Sequence, residues 1–175
     1  MDLTRNQLYI DTTKFSKSKR NFEEWNPTSN KEIESNIENF QLNILDSVIP
    51  KQWITIRKYK DKFFNYDRCD GKDPRIEIIG NALIYNGIHE KTIYHLDEIT
   101  KVKSSWNLKS SSNPITEFSF ENTETKNIFI YKFKGLNETF KSYVTPYQNI
   151  KNFDLFVNHC ANEKVDEFSK FQDPE

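Results

Sequence analysis

A chain of 175 residues with a formal charge of −1 and no basic block carries no field that would draw phosphate backbones to it, which argues against nucleic-acid binding. This length suits one domain with an appended arm, and no stretch reaches the roughly 18–20 apolar residues that a membrane span needs. With 14 Phe and 8 Tyr, the core is expected to be built from rings, each of which removes a large apolar area from water.

Residues 1–28 mix charge, Ser, Thr and Asn with isolated rings at Tyr9, Phe15, Phe22 and Trp25, and no period is sustained. An irregular N-terminal arm is expected there. The first residues lack the charged, apolar and small-residue order of a signal peptide. Two explanations fit: a cytoplasmic protein, or an exported one whose signal has been removed. The abundance of Asn, Lys and Ile hints at an AT-rich coding sequence and hence a bacterial source.

A single β-rich domain is expected over 29–165. It opens with an amphipathic helix over 30–48, because Ile33, Ile37, Phe40, Ile44 and Val48 recur at spacings of three and four. Ser29 or Asn30 can cap it, Glu32 and Glu34 suit its first turn, and Pro50 ends it. From there the period becomes two, and turn signals recur through a sheet spanning 52–146. QWITIRKY and KFFNYDR flank Lys60-Asp61, RIEIIG and ALIYNG flank Gly80-Asn81, and TIYHLDEITKVKSSW follows the turn at Gly87. ITEFSFEN and NIFIYKFK form a hairpin around TETK, with Phe118 and Phe120 on one face; Phe129, Tyr131 and Phe133 alternate with Ile128, Ile130 and Lys132. TFKSYVTP is the last strand of the sheet. A short helix over 147–159 follows from the shared face of Ile150, Phe153, Phe156 and Val157, and a charged tail over 166–175 closes the chain. The fold class is therefore mainly β (α+β). It consists of an antiparallel curved sheet of seven to eight strands, or a lipocalin-like barrel, with one N-terminal amphipathic helix and a short C-terminal helix.

The chemistry-bearing residues are few. Cys69 follows a strand at a polar turn and Cys160 follows the last helix, so a disulfide between them would tie the end of the chain to the start of the sheet. Closing a loop of roughly 90 residues would contribute about 4–5 kcal/mol less any strain, and would place the protein outside a reducing compartment. Two unpaired thiols acting as small apolar residues are the alternative. Asp67, Asp70 and Asp73 surround Gly71 without the order of a calcium loop, so a turn is the simpler reading. His89 and His95 share a strand face but lie about 20 Å apart, too far to hold one metal together. Neither a cofactor nor a metal is expected, since GxSxG, P-loop, HExxH, CxxC and GxGxxG are all missing.

The run PKQWITIRKYKDKFFNYDRCDGKDPRIEIIGNALIYNG, with FVNHC later, resembles small extracytoplasmic lipocalin-like proteins and lipoproteins of Bacteroidetes. The resemblance rests on Trp53, Tyr59, Cys69, Asp70, Gly71 and Cys160, and covers residues 50 to about 165. It implies an exported protein of the periplasm or cell envelope, attached to the membrane only through a lipid anchor that this chain lacks. The alternative is a cytoplasmic location.

These readings converge on a non-catalytic binding protein of the bacterial envelope. Its partner would be a protein, and immunity-type neutralisation of a secreted toxin by occlusion is the leading role. Exposed carboxylates at Asp97, Glu98, Glu121, Glu124 and Glu138 are its candidate contacts. A second reading is a carrier of a small apolar ligand lined by Trp53, Phe64, Tyr85, Phe120, Phe129 and Tyr131. A third is an enzyme of unfamiliar type, which would require a carboxylate pair beside a His in a cleft.

Overall fold

The computed structural model describes residues 49–67, 73–111, 114–157 and 171–175. The expected arm over 1–28, the helix over 30–48 and both Cys69 and Cys160 lie outside the described residues. The fold is mainly β. Its strands are β1 (Gln52–Thr55), β2 (Arg57–Tyr59), β3 (Lys62–Asp67), β4 (Arg75–Ile79), β5 (Ala82–Asn86), β6 (Lys91–His95), β7 (Glu98–Val102), β8 (Ser105–Ser110), β9 (Thr116–Asn122), β10 (Phe129–Lys134), β11 (Thr139–Pro146) and β12 (Asp154–Val157).

Nine strands form one antiparallel sheet in the order β6-β5-β4-β1-β11-β10-β9-β8-β7, and β12-β3-β2 form a second sheet. The strand count exceeds the seven to eight expected because QWITIRKY breaks into two strands, TIYHLDEITKVKSSW runs through three, and β12 stands where a helix was expected. QWITIRKY splits at Ile56, whose N–H donates to the Tyr143 carbonyl at 2.9 Å, so β1 joins the large sheet and β2 the small one. TIYHLDEITKVKSSW splits at Leu96-Asp97, where Leu96 donates to the Asn81 carbonyl at 2.6 Å and Asp97 to the Lys109 carbonyl at 2.9 Å. The hairpin between β4 and β5 turns on Gly80-Asn81, and Gly80 takes φ 57° as the first residue of a two-residue loop requires when its twist must match the strands.

The large sheet curls. Trp53 on β1 and Phe120 on β9 have two strands between them, which in a flat sheet means about 14 Å. Their ring centroids nevertheless lie 4.4 Å apart. Tyr94 on the edge strand β6 reaches Phe118 on β9, with ring centroids 4.9 Å apart. The result is a half-barrel whose inner face is a continuous cluster of rings. The two edges of this sheet, β6 and β7, are consecutive in the chain and joined only by Leu96-Asp97. Three Cα–Cα steps of 3.8 Å hold them within about 11 Å of each other at that corner.

The helix expected over 147–159 is corrected by the structure. A 3₁₀ turn spans Tyr147–Asn152, and β12 then pairs in parallel with β3, placing Phe156 opposite Tyr66 and Val157 opposite Asp67. Ile150 and Phe153 do share a face, packing on Ile54, Ile56 and Ile128. The residues after them extend because the open edge of β3 offers backbone partners that a helix would forgo. Within the charged tail, Phe171 packs on Tyr66 and Phe156 with centroids 5.0 and 5.5 Å away, and Gln172 donates to the Lys58 carbonyl at 2.8 Å.

Candidate functional site

Alternation along each strand gives the large sheet two unlike faces. Trp53, Tyr85, Phe120, Phe129 and Tyr131, five of the six ring positions expected to line an interior, belong to one inner cluster. Phe64 does not. It sits on β3 in the smaller sheet, against Phe156 at 6.0 Å, because the break at Ile56 carries the following hairpin out of the large sheet. Trp106, Tyr94, Phe118, Phe133 and Phe140 complete the inner cluster. Trp106 was legible in principle, since Trp106, Leu108 and Ser110 alternate with polar neighbours.

Three polar tips lie within these rings without a hydrogen-bond partner among the described residues: Trp53 Nε1, Trp106 Nε1 and the Tyr131 hydroxyl. Leaving a buried donor unmet costs about 1–3 kcal/mol. Burial holds the Tyr131 phenol pKa well above its ordinary value, with Tyr85 and Tyr94 adding to the effect. All three groups can donate, so what complements them is an acceptor.

The outer face of β7–β11 is polar and ordered in rows. Cross-strand register places Glu98 beside Lys109, Lys109 beside Glu117, Glu117 beside Lys134 and Lys134 beside Thr139. One turn of pleat further along, Thr100, Asn107, Ser119 and Lys132 form a second row. Lys134 Nζ lies 3.2 Å from Glu117 Oε2, and Lys132 Nζ lies 2.6 Å from Glu121 Oε2. These rows floor a groove of about 420 Å³. Its lysines were not among the residues expected to matter, because the sequence shows their spacing but not the register that sets each beside an acid.

The expected acidic contacts fall into two groups. Asp97, Glu98 and Glu138 lie at the end of the sheet where β10 turns into β11, whereas Glu121 and Glu124 lie at the opposite end, where β9 turns into β10. The four residue steps from Glu117 to Glu121 alone span about 13 Å of strand. Asp97 is held in place: Oδ2 accepts the Ser111 N–H, and Oδ1 lies 3.5 Å from His95 Nδ1. The Ser111 backbone bond is the main cause of its lowered pKa, and His95 contributes. On the other side of His95, Asn81 Nδ2 lies 2.8 Å from Nε2.

Asp73, grouped by sequence with Asp67 and Asp70 around a turn, is instead one half of a bidentate ion pair. Arg57 Nε donates to Oδ2 at 3.0 Å and a terminal guanidinium nitrogen to Oδ1 at 2.9 Å. Burial works against the Arg57 charge, but the hydrogen bonds and charge of Asp73 outweigh it and raise the pKa. The pair ties β2 of the small sheet to the start of β4 in the large one. Among the described residues, no three of His, Cys, Asp or Glu gather as metal ligands, and no helix is long and apolar enough to cross a membrane. No family model, curated protein or solved structure matches the chain.

Proposed function

We propose that this chain is a non-catalytic binding protein of the bacterial envelope. It holds a partner protein on the outer face of β7–β11, as an immunity or inhibitor protein does when it covers the active site of a secreted toxin. The observation that carries this reading is the groove of about 420 Å³ on that face, on a sheet whose opposite side is occupied by packed rings. Its lining sets Glu98 and Glu117 among Lys109, Lys132 and Lys134. The fitting partner surface therefore carries both signs in alternation, and a uniformly basic cleft would meet as much repulsion as attraction.

The compartment rests on the cysteines. Although Cys69 and Cys160 lie outside the described residues, the strands that lead to them, β3 and β12, pair in parallel, and their last rung sets Asp67 beside Val157. Cys69 is two residues beyond that rung on one strand and Cys160 three beyond it on the other, which supports a disulfide and an oxidising location. Intact mass after alkylation, with and without reductant, tests it: two alkyl groups on the unreduced native protein would remove the argument for export.

Binding is tested by co-expressing the chain with the product of its neighbouring gene and titrating the purified pair. A one-to-one complex is expected, weakened at least tenfold by the double reversal Lys132→Glu and Lys134→Glu. No complex, or an affinity indifferent to the reversal, would overturn the reading. The three unmet donors favour a second reading, a carrier whose apolar ligand bears an acceptor headgroup. Titration with dodecanoate, followed by tryptophan fluorescence, would then saturate in the wild type and weaken in Tyr131→Phe.

A further inference from the structure

We infer that the partner engages the free edge of β7 as an added antiparallel strand, and that its side chains continue the rows of the outer face. This rests on the proposed protein-binding role and names the form the partner must present. Within the large sheet β7 pairs only with β8, so its other edge has no strand beside it among the described residues. Four of its five residues are exposed, including Val102 at 56%. Glu98 and Thr100 of β7 line the groove, which makes the edge and the groove one continuous surface.

Each row on the outer face ends at β7 with a side chain that has no cross-strand neighbour beyond it among the described residues. The charge row runs Lys134, Glu117, Lys109, Glu98, and a cation continues it. The second row runs Ser119, Asn107, Thr100, and a hydroxyl continues it. Val102 ends on an apolar position. On the inner face Ile99 packs against the ring cluster and calls for an apolar neighbour, while Lys101 stands over the Trp106 ring at 5.4 Å and calls for an acid. Read antiparallel from Val102 to Glu98, the complementary strand is Val-Glu-Thr-Ile-Lys. Charged residues on an edge ordinarily deter indiscriminate pairing. Here Glu98 and Lys101 also discriminate, since a strand with their signs in the same order is repelled at two positions.

The probe is a nine-residue peptide, Ser-Thr-Val-Glu-Thr-Ile-Lys-Thr-Ser, titrated into the full chain and followed by amide NMR and hydrogen exchange. The expected result is saturable binding with a dissociation constant of about 1 mM or tighter, with shift changes and slowed exchange concentrated at residues 98–102. Lys101→Glu should weaken this peptide by about three- to tenfold and strengthen, by a similar factor, one with Glu and Lys exchanged. Glu98→Lys supplies an independent second variant with the same sense. Absence of saturation, shifts elsewhere, or affinity unchanged by both variants would overturn the inference. So would concentration-dependent protection of β7 in the free protein, which would make the occupant a second copy. A partner captured by the groove with no peptide binding would leave the general reading standing and remove only this one; peptide binding without capture of the neighbouring gene product would do the reverse.

Discussion

The two faces of β7–β11 share every backbone atom and differ in almost everything else. Inward, Trp106, Leu108, Phe118, Phe120, Tyr131 and Phe133 are buried in one cluster. Outward, on alternate residues of the same strands, Glu98, Lys109, Glu117 and Lys134 stand in a row of opposite charges. Burying a ring stabilises by about 1.5–3 kcal/mol, whereas an exposed ion pair contributes about 0–1 kcal/mol. The fold is therefore held from one side, leaving the other free to vary with its partner at little cost to folding.

The largest effect should come from the centre of the rings. Phe120 is fully buried and stacks on Trp53 at 4.4 Å, so Phe120→Ala should cost about 3–5 kcal/mol in urea unfolding. A loss under about 1 kcal/mol would mean that the inner face is not the stabilising one. Asp73→Ala comes next. It removes the carboxylate that accepts both hydrogen bonds from the Arg57 guanidinium, whose side chain is only 14% exposed, and a cost of about 3 kcal/mol is expected from the same measurement. Because that pair joins the small sheet to the large one, the variant should also loosen β2 and β3 in hydrogen exchange before β8 and β9.

The inner face was largely legible in the chain. The alternation of Phe118 with Phe120, and of Phe129, Tyr131 and Phe133, places those rings correctly, because a strand has only two sides and five of the expected lining residues share one. Phe64 was misplaced for a reason the pattern cannot contain: its own alternation is sound, but the hydrogen bond of Ile56 to Tyr143, far along the chain, decides which sheet receives it. The run after Asn152 was misread similarly, since spacings of three between Ile150, Phe153 and Phe156 suit a helix until an open strand edge competes. On the outer face the sequence shows charges but not their order across strands. The acids at Asp97, Glu98, Glu121, Glu124 and Glu138 look like one set, and register divides them between opposite ends of the sheet. Recognition surfaces built across strands are made by pairing, which is non-local.

Tyr131 tests the boundary between stability and function on the inner face. Its hydroxyl is buried and meets no partner among the described residues, so Tyr131→Phe should raise stability by about 1 kcal/mol. The folded phenol pKa lies above 10.0, its ordinary value. The neutral form is thus favoured by folding, its contribution is complete below that pH, and it is lost as pH rises beyond it. The wild type should therefore lose stability above about pH 10 more steeply than Tyr131→Phe. Destabilisation by the variant would mean that the hydroxyl has a partner in solution. On the outer face Lys134→Ala should stay within about 0.5 kcal/mol, and a larger loss would bring the two faces closer together than their burial suggests.

The smallest effect is expected at the corner where the faces meet, since Leu96 turns into the ring cluster and Asp97, its neighbour, turns outward to hold Ser111. The Asp97 pKa lies below 3.8, its unperturbed value, so ionised Asp97 favours the folded state. That contribution is present above the unfolded pKa and disappears as pH falls through the folded one, which puts the window below about pH 4. Asp97→Asn keeps an acceptor for the Ser111 N–H and removes the titration. The thermal midpoint of the wild type should then lie slightly above that of the variant at pH 7, and the gap should narrow toward the lowest pH, with the wild type falling more across the acid limb. Parallel acid limbs would show that the carboxylate does not anchor the corner. In that case the position of β7, and with it the edge offered to a partner, would depend on its pairing with β8, on Leu96 and on the inner rings.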